Sequence, residues 1–217
     1  MKVVAFVPAK GSSERIENKN TRILDGEYLF KRKLRQLIES KTIDEIWLDT
    51  ESDQISSLAK DLPVKILKRD PSMASNKTDG HDLFMNESSN TDADIIVQAL
   101  CTAPFIESST IDKAITTLIE DTTRDSLVAV QNVKAYTWLN NEPSYGRERI
   151  PNSFDLPNTT LECMSFYAVK KKRGQKLTKR FGDAPILFPV SPLESMDVNT
   201  IHDLEIAEQI CAGRRAK

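Results

Sequence analysis

Only two histidines, His81 and His202, occur in 217 residues, which excludes a multi-histidine metal site. Any Ser-His or Cys-His chemistry would have to run through one of them. Three cysteines, Cys101, Cys163 and Cys211, are odd in number and share no CxxC spacing. A disulfide framework and a zinc knuckle are both disfavoured. No apolar run approaches the roughly 20 residues of a membrane span, so no membrane contact is expected. The apolar stretch 3–7 is too short for a signal peptide, and cytoplasmic localisation is expected. Neither sign of charge prevails, with 30 Lys plus Arg against 32 Asp plus Glu, so no overall field would attract nucleic acid. The basic runs Lys31-Arg32-Lys33 and Lys170-Lys171-Lys172-Arg173 read as solvated faces. Internal repeats and low-complexity tracts are also missing.

What is present suits a single globular domain over residues 1–217, with 39% hydrophobic and 29% charged residues. Strand-like runs at 3–7, 45–49, 64–67, 94–100 and 126–133 alternate with helical periods. The helices read over 28–40, 52–62, around Leu83 and Phe84, and along Ile111, Ala114, Ile115 and Leu118. This alternation predicts an α/β fold, a mostly parallel doubly wound sheet with helices on both faces. Residues 134–180 break the rhythm and read as an inserted flap or dimerisation subregion. A strand at 186–190 and an amphipathic helix at 200–214 close the chain.

In such a sheet, ligands collect beyond the carboxyl ends of the strands. The loop after the first strand, Pro8-Ala9-Lys10-Gly11-Ser12-Ser13-Glu14-Arg15 with Lys19-Asn20, offers small residues and cations suited to a polyphosphate. It is neither a Walker A loop nor GxGxxG. Asp49-Thr50-Glu51, Lys68-Arg69, Ala74-Ser75-Asn76 and Leu100-Cys101-Thr102-Ala103-Pro104 follow later strands at the same edge.

These segments, taken in order, resemble the CMP–acidic-sugar synthetases, the acylneuraminate cytidylyltransferase family. Val7-Pro8-Ala9-Lys10-Gly11-Ser12-Ser13, Arg15-Ile16 and Lys19-Asn20 resemble the family's opening signature. Gly26 with Leu29, Asp49-Thr50-Glu51, Arg69 with Pro71, and Thr102-Ala103-Pro104 resemble its later elements. Met196-Asp197-Val198-Asn199-Thr200 with Asp203-Leu204 resembles its closing one. The resemblance covers 3–130 and 186–210. It implies a Rossmann-like nucleotidyltransferase fold and transfer of CMP from CTP to an acidic, 2-keto-3-deoxy sugar, with Mg²⁺ as cofactor and a homodimer as assembly.

Carried over position by position, the resemblance assigns Pro8, Ala9, Lys10, Gly11, Ser12, Ser13, Lys19, Asn20, Arg69 and Thr78 to the nucleotide. Lys10, Lys19 and Asp197 become the catalytic set, and Asp197 with Asn199 the Mg²⁺ ligands. Gln98, Thr102 and Ala103 fall to the acceptor. No enzyme nucleophile is needed, because the attacking oxygen belongs to the sugar. Three departures stand out. Asn199 replaces the second metal aspartate. Leu100 stands where the family has glutamine, with Gln98 two residues back. Leu161-Glu162-Cys163-Met164 stands where the family reads Arg-Pro-Asn-Gly.

Other readings compete. Ser12 and Ser13 also suit a turn, Arg69 a surface ion pair, and Asn199 the N-cap of the closing helix with Asp203 in its first turn. His81 and His202 read as structural, and Cys101 as a buried packing residue. Trp138 and Tyr145 suit stacking or a subunit contact. A catalytically impaired nucleotide-binding homologue is one alternative function. A sugar-nucleotide glycosyltransferase using Asp92-Ala93-Asp94 is another, although that motif precedes its strand.

Overall fold

Val3, Val4, Ala5, Phe6 and Val7 are all buried, so the first strand, β1 (Val3–Pro8), is covered on both faces. The computed structural model describes residues 1–13, 16–75 and 77–215. Val3, Ala5 and Val7 join the large core on one face of the sheet, while Val4 and Phe6 join a smaller cluster on the other. Strands buried on both faces are typical of parallel sheets.

After a single 3₁₀ turn (Lys19–Thr21), a two-residue hairpin joins β2 (Ile23–Leu24) to β3 (Glu27–Tyr28). Asp25 and Gly26 at its tip have φ of 55° and 81°, as a tight hairpin turn demands. Then come α1 (Leu29–Ile38), β4 (Glu45–Thr50), α2 (Asp53–Leu58), β5 (Lys65–Lys68), α3 (Gly80–Ser89), β6 (Ile95–Ala99), α4 (Ser108–Glu120) and β7 (Ser126–Lys134). A second small ribbon, β8 (Trp138–Leu139) and β9 (Glu142–Pro143), turns on Asn140 and Asn141, both with positive φ. The chain ends with β10 (Asn158–Lys170), β11 (Pro185–Pro189) and α5 (Ile201–Arg215).

The main sheet has seven strands in the order β11-β7-β10-β6-β1-β4-β5. Every ladder is parallel except the two made by β10, which lies antiparallel between β6 and β7. The expected flap is therefore only partly separate. Its second half supplies a 13-residue strand to the middle of the sheet, with Ser165, Phe166, Tyr167, Ala168 and Val169 buried. Alternation of strands and helices carries no sign of such an insertion, because β10 arrives through a ribbon and a loop instead of a crossover helix.

Helix cover is unequal. Leu29, Phe30, Leu34 and Leu37 of α1, Ile55 of α2, Ile111 to Leu118 of α4, and Leu204, Ala207 and Cys211 of α5 line the large core. The opposite face carries Phe84 of α3 and Leu177 from the loop before β11. No helix among the described residues is long and apolar enough to cross a membrane.

Candidate active site

A cleft of about 250 Å³ opens where β1, β5 and β6 end, beside the N-terminus of α3 and the middle of β10. Pro8, Lys10, Lys19, Asn20, Arg69, Thr78, Thr102, Asp197 and Asn199 all line it. The side-chain amide of Asn20 donates to the Lys10 carbonyl at 2.9 Å, tying the 3₁₀ turn back to the loop. The Ala9 N–H donates to Asp49 O at 2.9 Å, which anchors the loop to β4. Lys19 Nζ reaches the Val198 carbonyl at 3.3 Å, and the Val198 N–H donates to Thr102 O at 2.7 Å. Three separated stretches of chain are thereby fixed around one opening.

Other assigned residues stand elsewhere. Ala9 and Ala103 are fully buried, so neither presents a side chain to a ligand. The Gly11 N–H is taken by Glu51 Oε1 at 2.6 Å, and a Cβ on Gly11 would stand 2.9 Å from Ser52 Cβ. The glycine is needed for this close approach. Ser12 and Ser13 lie outside the cleft lining. Arg15 and Asn76 lie outside the described residues.

Gln98 needs correction as an acceptor contact. It is fully enclosed and donates to Glu87 Oε2 of α3 at 2.6 Å, below the cleft floor. Its place within β6 turns it onto the α3 face, where the buried carboxyl claims the amide. Arg69 combines two readings. Its side chain is 1% exposed and bridges Asp49 Oδ2 at 3.1 Å and Glu51 Oε2 at 2.9 Å, yet it still borders the cleft. Burial works to raise Glu51, but the Gly11 N–H and the Arg69 guanidinium hold its carboxyl below the ordinary range.

The closing segment also differs from expectation at one position. Helix α5 begins at Ile201, and Thr200 is its cap: Thr200 Oγ1 accepts from the Asp203 N–H at 3.2 Å, while Asp203 Oδ2 accepts from the Thr200 N–H at 2.7 Å. The Thr-x-x-Asp spacing makes this reciprocal pair. The Asn199 side chain is thereby released, and its amide donates to Asp197 Oδ2. Asp197 Oδ1 is buried with no donor.

The remaining reactive side chains are accounted for structurally. Cys101 Sγ donates to the Pro8 carbonyl at 3.2 Å, and burial pushes its thiol up to about 11, so it is no nucleophile. His81 Nδ1 accepts from the Arg180 N–H at 3.2 Å. Asp92 and Asp94 bind the side chain and N–H of Lys2 at the opposite end of β6. That position removes the motif a sugar-nucleotide glycosyltransferase would use from the cleft.

Met164, in the segment that stands for the family's Arg-Pro-Asn-Gly, does line the cleft, whereas sequence reasoning missed Met73, Asp79, Gly80, Leu83 and Arg180. Asp79 had a readable signal: an Asp with Asp82 three residues on forms a capping box, observed at the start of α3. Arg180 had none, since only the fold brings its loop to α3.

A family model described as Cytidylyltransferase matches residues 4–146. N-acylneuraminate cytidylyltransferase A of Danio rerio is 24% identical over 217 residues, covering 95% of this chain and 50% of that protein. The chain thus spans half of that relative's length. CMP-N,N'-diacetyllegionaminic acid synthase of Legionella pneumophila is 27% identical, covering 97% of this chain and 96% of that one. Among solved structures, CMP:2-keto-3-deoxy-manno-octonic acid synthetase complexed with CTP superposes with a TM-score of 0.72 at 12% identity, covering 99% of this chain and 100% of that one. The 4-diphosphocytidyl-2C-methyl-D-erythritol synthase of Anaerococcus prevotii follows the same fold, with a TM-score of 0.68 at 14% identity and coverage of 97% and 96%.

Proposed function

Because the chain belongs to the cytidylyltransferase family, we propose that it transfers CMP from CTP to a hydroxyl of an acidic, 2-keto-3-deoxy sugar. The sugar hydroxyl oxygen bonds to the α-phosphorus and its proton is released to water, the bond from that phosphorus to the bridging oxygen breaks, and pyrophosphate leaves with the electron pair. One observation carries the reading: Lys10, Lys19 and the Asp197–Asn199 pair converge on one cleft at the carboxyl edge of the sheet.

The lysines act as point charges that offset charge building on the phosphates, and the Asn20–Lys10 and Ala9–Asp49 hydrogen bonds hold the segments that carry them. The orphaned Asp197 Oδ1 suits a cation. Asp197 and Asn199 would hold Mg²⁺, with substrate phosphates completing its shell; when bound, the ion supplies charge neutralisation. No group of three or more His, Cys, Asp or Glu gathers among the described residues, as a site completed by substrate allows. A homodimer, built on the segment between β7 and β10, belongs to the same proposal.

The test is a thermal-shift screen of the four nucleoside triphosphates with and without Mg²⁺, followed by pyrophosphate release with keto-sugar acids. CTP with Mg²⁺ is expected to raise the melting temperature most. Lys19→Ala is expected to cut turnover by roughly tenfold or more, through loss of a charge-assisted contact. Unchanged turnover in that variant overturns the phosphate role. A second reading draws on the Asn199 amide resting on Asp197 Oδ2: nucleotide binding without transfer. CTP binding with no pyrophosphate from any acid would favour it.

A further inference from the structure

Arg180 enters the cleft from the loop before β11 and lies over the Tyr167 ring of β10. Its guanidinium carbon stands 4.8 Å from the centre of that ring, a cation–π distance. Its backbone N–H is pinned by His81 Nδ1 of α3 at 3.2 Å, and the neighbouring Phe181 ring packs edge-on against His81 at 5.7 Å between centroids. The side chain then lies across Gly80 at the start of α3. A Cβ on Gly80 would stand 0.9 Å from Arg180 Nη2, so the absence of a side chain there is what admits the guanidinium.

Among the described residues Arg180 makes no ion pair; the Tyr167 face is the partner its side chain shows. Asp79 already takes the His81 and Asp82 N–H groups at the head of α3, so the group arranged to receive an anion is the half-buried guanidinium itself, held on an aromatic face and open to the cleft. Its place in the sheet separates it from the phosphate loop. Tyr167 belongs to β10, and β6 lies between β10 and β1. Two strand spacings amount to roughly 10 Å. Lys10 and Lys19 follow β1, and Lys19 reaches the Asp197 segment through Val198 O. The Arg180 charge therefore serves the far side of the opening, next to Met164. The segment that contains Met164 is where the resembled family's Arg-Pro-Asn-Gly is replaced by Leu161-Glu162-Cys163-Met164.

We propose that Arg180 is the specificity-determining residue for the acceptor, binding its carboxylate while Gly80 keeps the required space open. The inference rests on the transferase reading above and names the residue that selects an acidic acceptor. Glycine at the head of α3 then has a functional reason, since alanine would favour the helix.

The experiment uses the full chain with N-acetylneuraminate and 3-deoxy-manno-octulosonate as acceptor probes, each also supplied as its methyl ester. CTP affinity is measured separately by calorimetry. Three variants are compared: Arg180→Met, Arg180→Lys and Gly80→Ala. The wild-type protein is expected to prefer acid over ester by at least roughly tenfold, the scale of a charged hydrogen bond. Arg180→Met and Gly80→Ala should raise the acceptor KM by at least about tenfold and erase the acid preference, with CTP affinity held within about twofold. Arg180→Lys should restore part of the preference. Gly80→Ala guards against misfolding, because its Cβ meets only the far end of a flexible side chain and its helix propensity improves.

Three results overturn the proposal. The variants keep the acid preference; CTP affinity falls by the same factor as the acceptor KM rises, which puts the guanidinium on phosphate; or neither acid binds or turns over with wild-type protein that binds CTP. The last leaves the nucleotide reading standing, whereas failure of wild-type protein to bind CTP sinks that reading itself.

Discussion

Glu87 is fully enclosed beneath the cleft, and the group it faces is a second carboxyl, Asp49, instead of a cation. Asp49 Oδ1 and Glu87 Oε1 are both buried without a donor, which one shared proton would satisfy. Burial first, and then the Asp49 charge, push Glu87 well above the usual carboxylate range. A carboxyl raised in the folded state stabilises below its unfolded pKa of about 4.3, and that contribution is lost as pH climbs through the folded value. Glu87→Gln keeps the shape and carries a permanent donor toward Asp49. The wild-type protein should therefore lose stability relative to Glu87→Gln between pH 5 and pH 8, by on the order of 1–3 kcal/mol. Urea midpoints at both pH values measure this, and a difference that does not change with pH rules out the shared proton. Gln98 shows why this layer was hard to read: its spacing marked the correct strand, but a sequence does not reveal a buried carboxyl waiting on α3.

At the scale of elements, α1 grips the loop after β6. Lys33 Nζ donates to Ala103 O at 2.8 Å, and Arg32 Nε and Gln36 Nε2 donate to Pro104 O at 2.9 and 2.8 Å. Through Thr102 O and Val198 N–H, the clamp continues to the segment bearing Asp197. The basic run at 31–33, expected to be solvated, thus contains a fully buried lysine. The periodicity held the clue: Lys33 is four residues from both Leu29 and Leu37, and so shares their buried face. Burial pushes its ammonium down to about 7, with Arg32 acting in the same direction and Cys101 opposing. A depressed lysine carries its full desolvation cost below pH 7, and the cost is relieved as pH rises toward the unfolded value of about 10.4. Wild-type protein should gain on Lys33→Met between pH 6.5 and pH 9 by about 2 kcal/mol, read from denaturant midpoints. Parallel pH profiles for the two proteins would contradict a buried, titrating amine. The same helix shows how far local pattern reaches, since Leu29, Phe30, Leu34 and Leu37 fall inward as their spacing predicts, while Ile38, the last residue of the helix, is exposed.

For the whole molecule, the alternation of strands and helices made the parallel part of the sheet legible, because each βαβ unit is local in sequence. The placement of β10 was not legible: its pairing with β6 and β7 depends on long-range register, and its first residues are polar and exposed. What remains of the irregular segment, between β7 and β10, concentrates apolar surface. Trp138 is 60% exposed, Leu139 76%, Ile150 72% and Phe154 80%. Lys134 and Arg147 lie over the Phe154 and Trp138 rings but leave them largely open to water. Monomeric proteins rarely expose contiguous apolar patches beyond a few hundred Å², and a stable subunit contact buries roughly 800 Å² per partner. A second copy of the chain, bringing the same aromatic arm, would cover this surface in the proposed homodimer. Light scattering at micromolar concentration should give twice the chain mass for the wild type, and the single mass for the double variant Trp138→Asp, Leu139→Asp. Both side chains are exposed, so the variant should still fold and keep the rise in melting temperature with CTP. A wild-type protein that scatters as one chain would overturn the homodimer, and a double variant that stays paired would move the contact away from this arm.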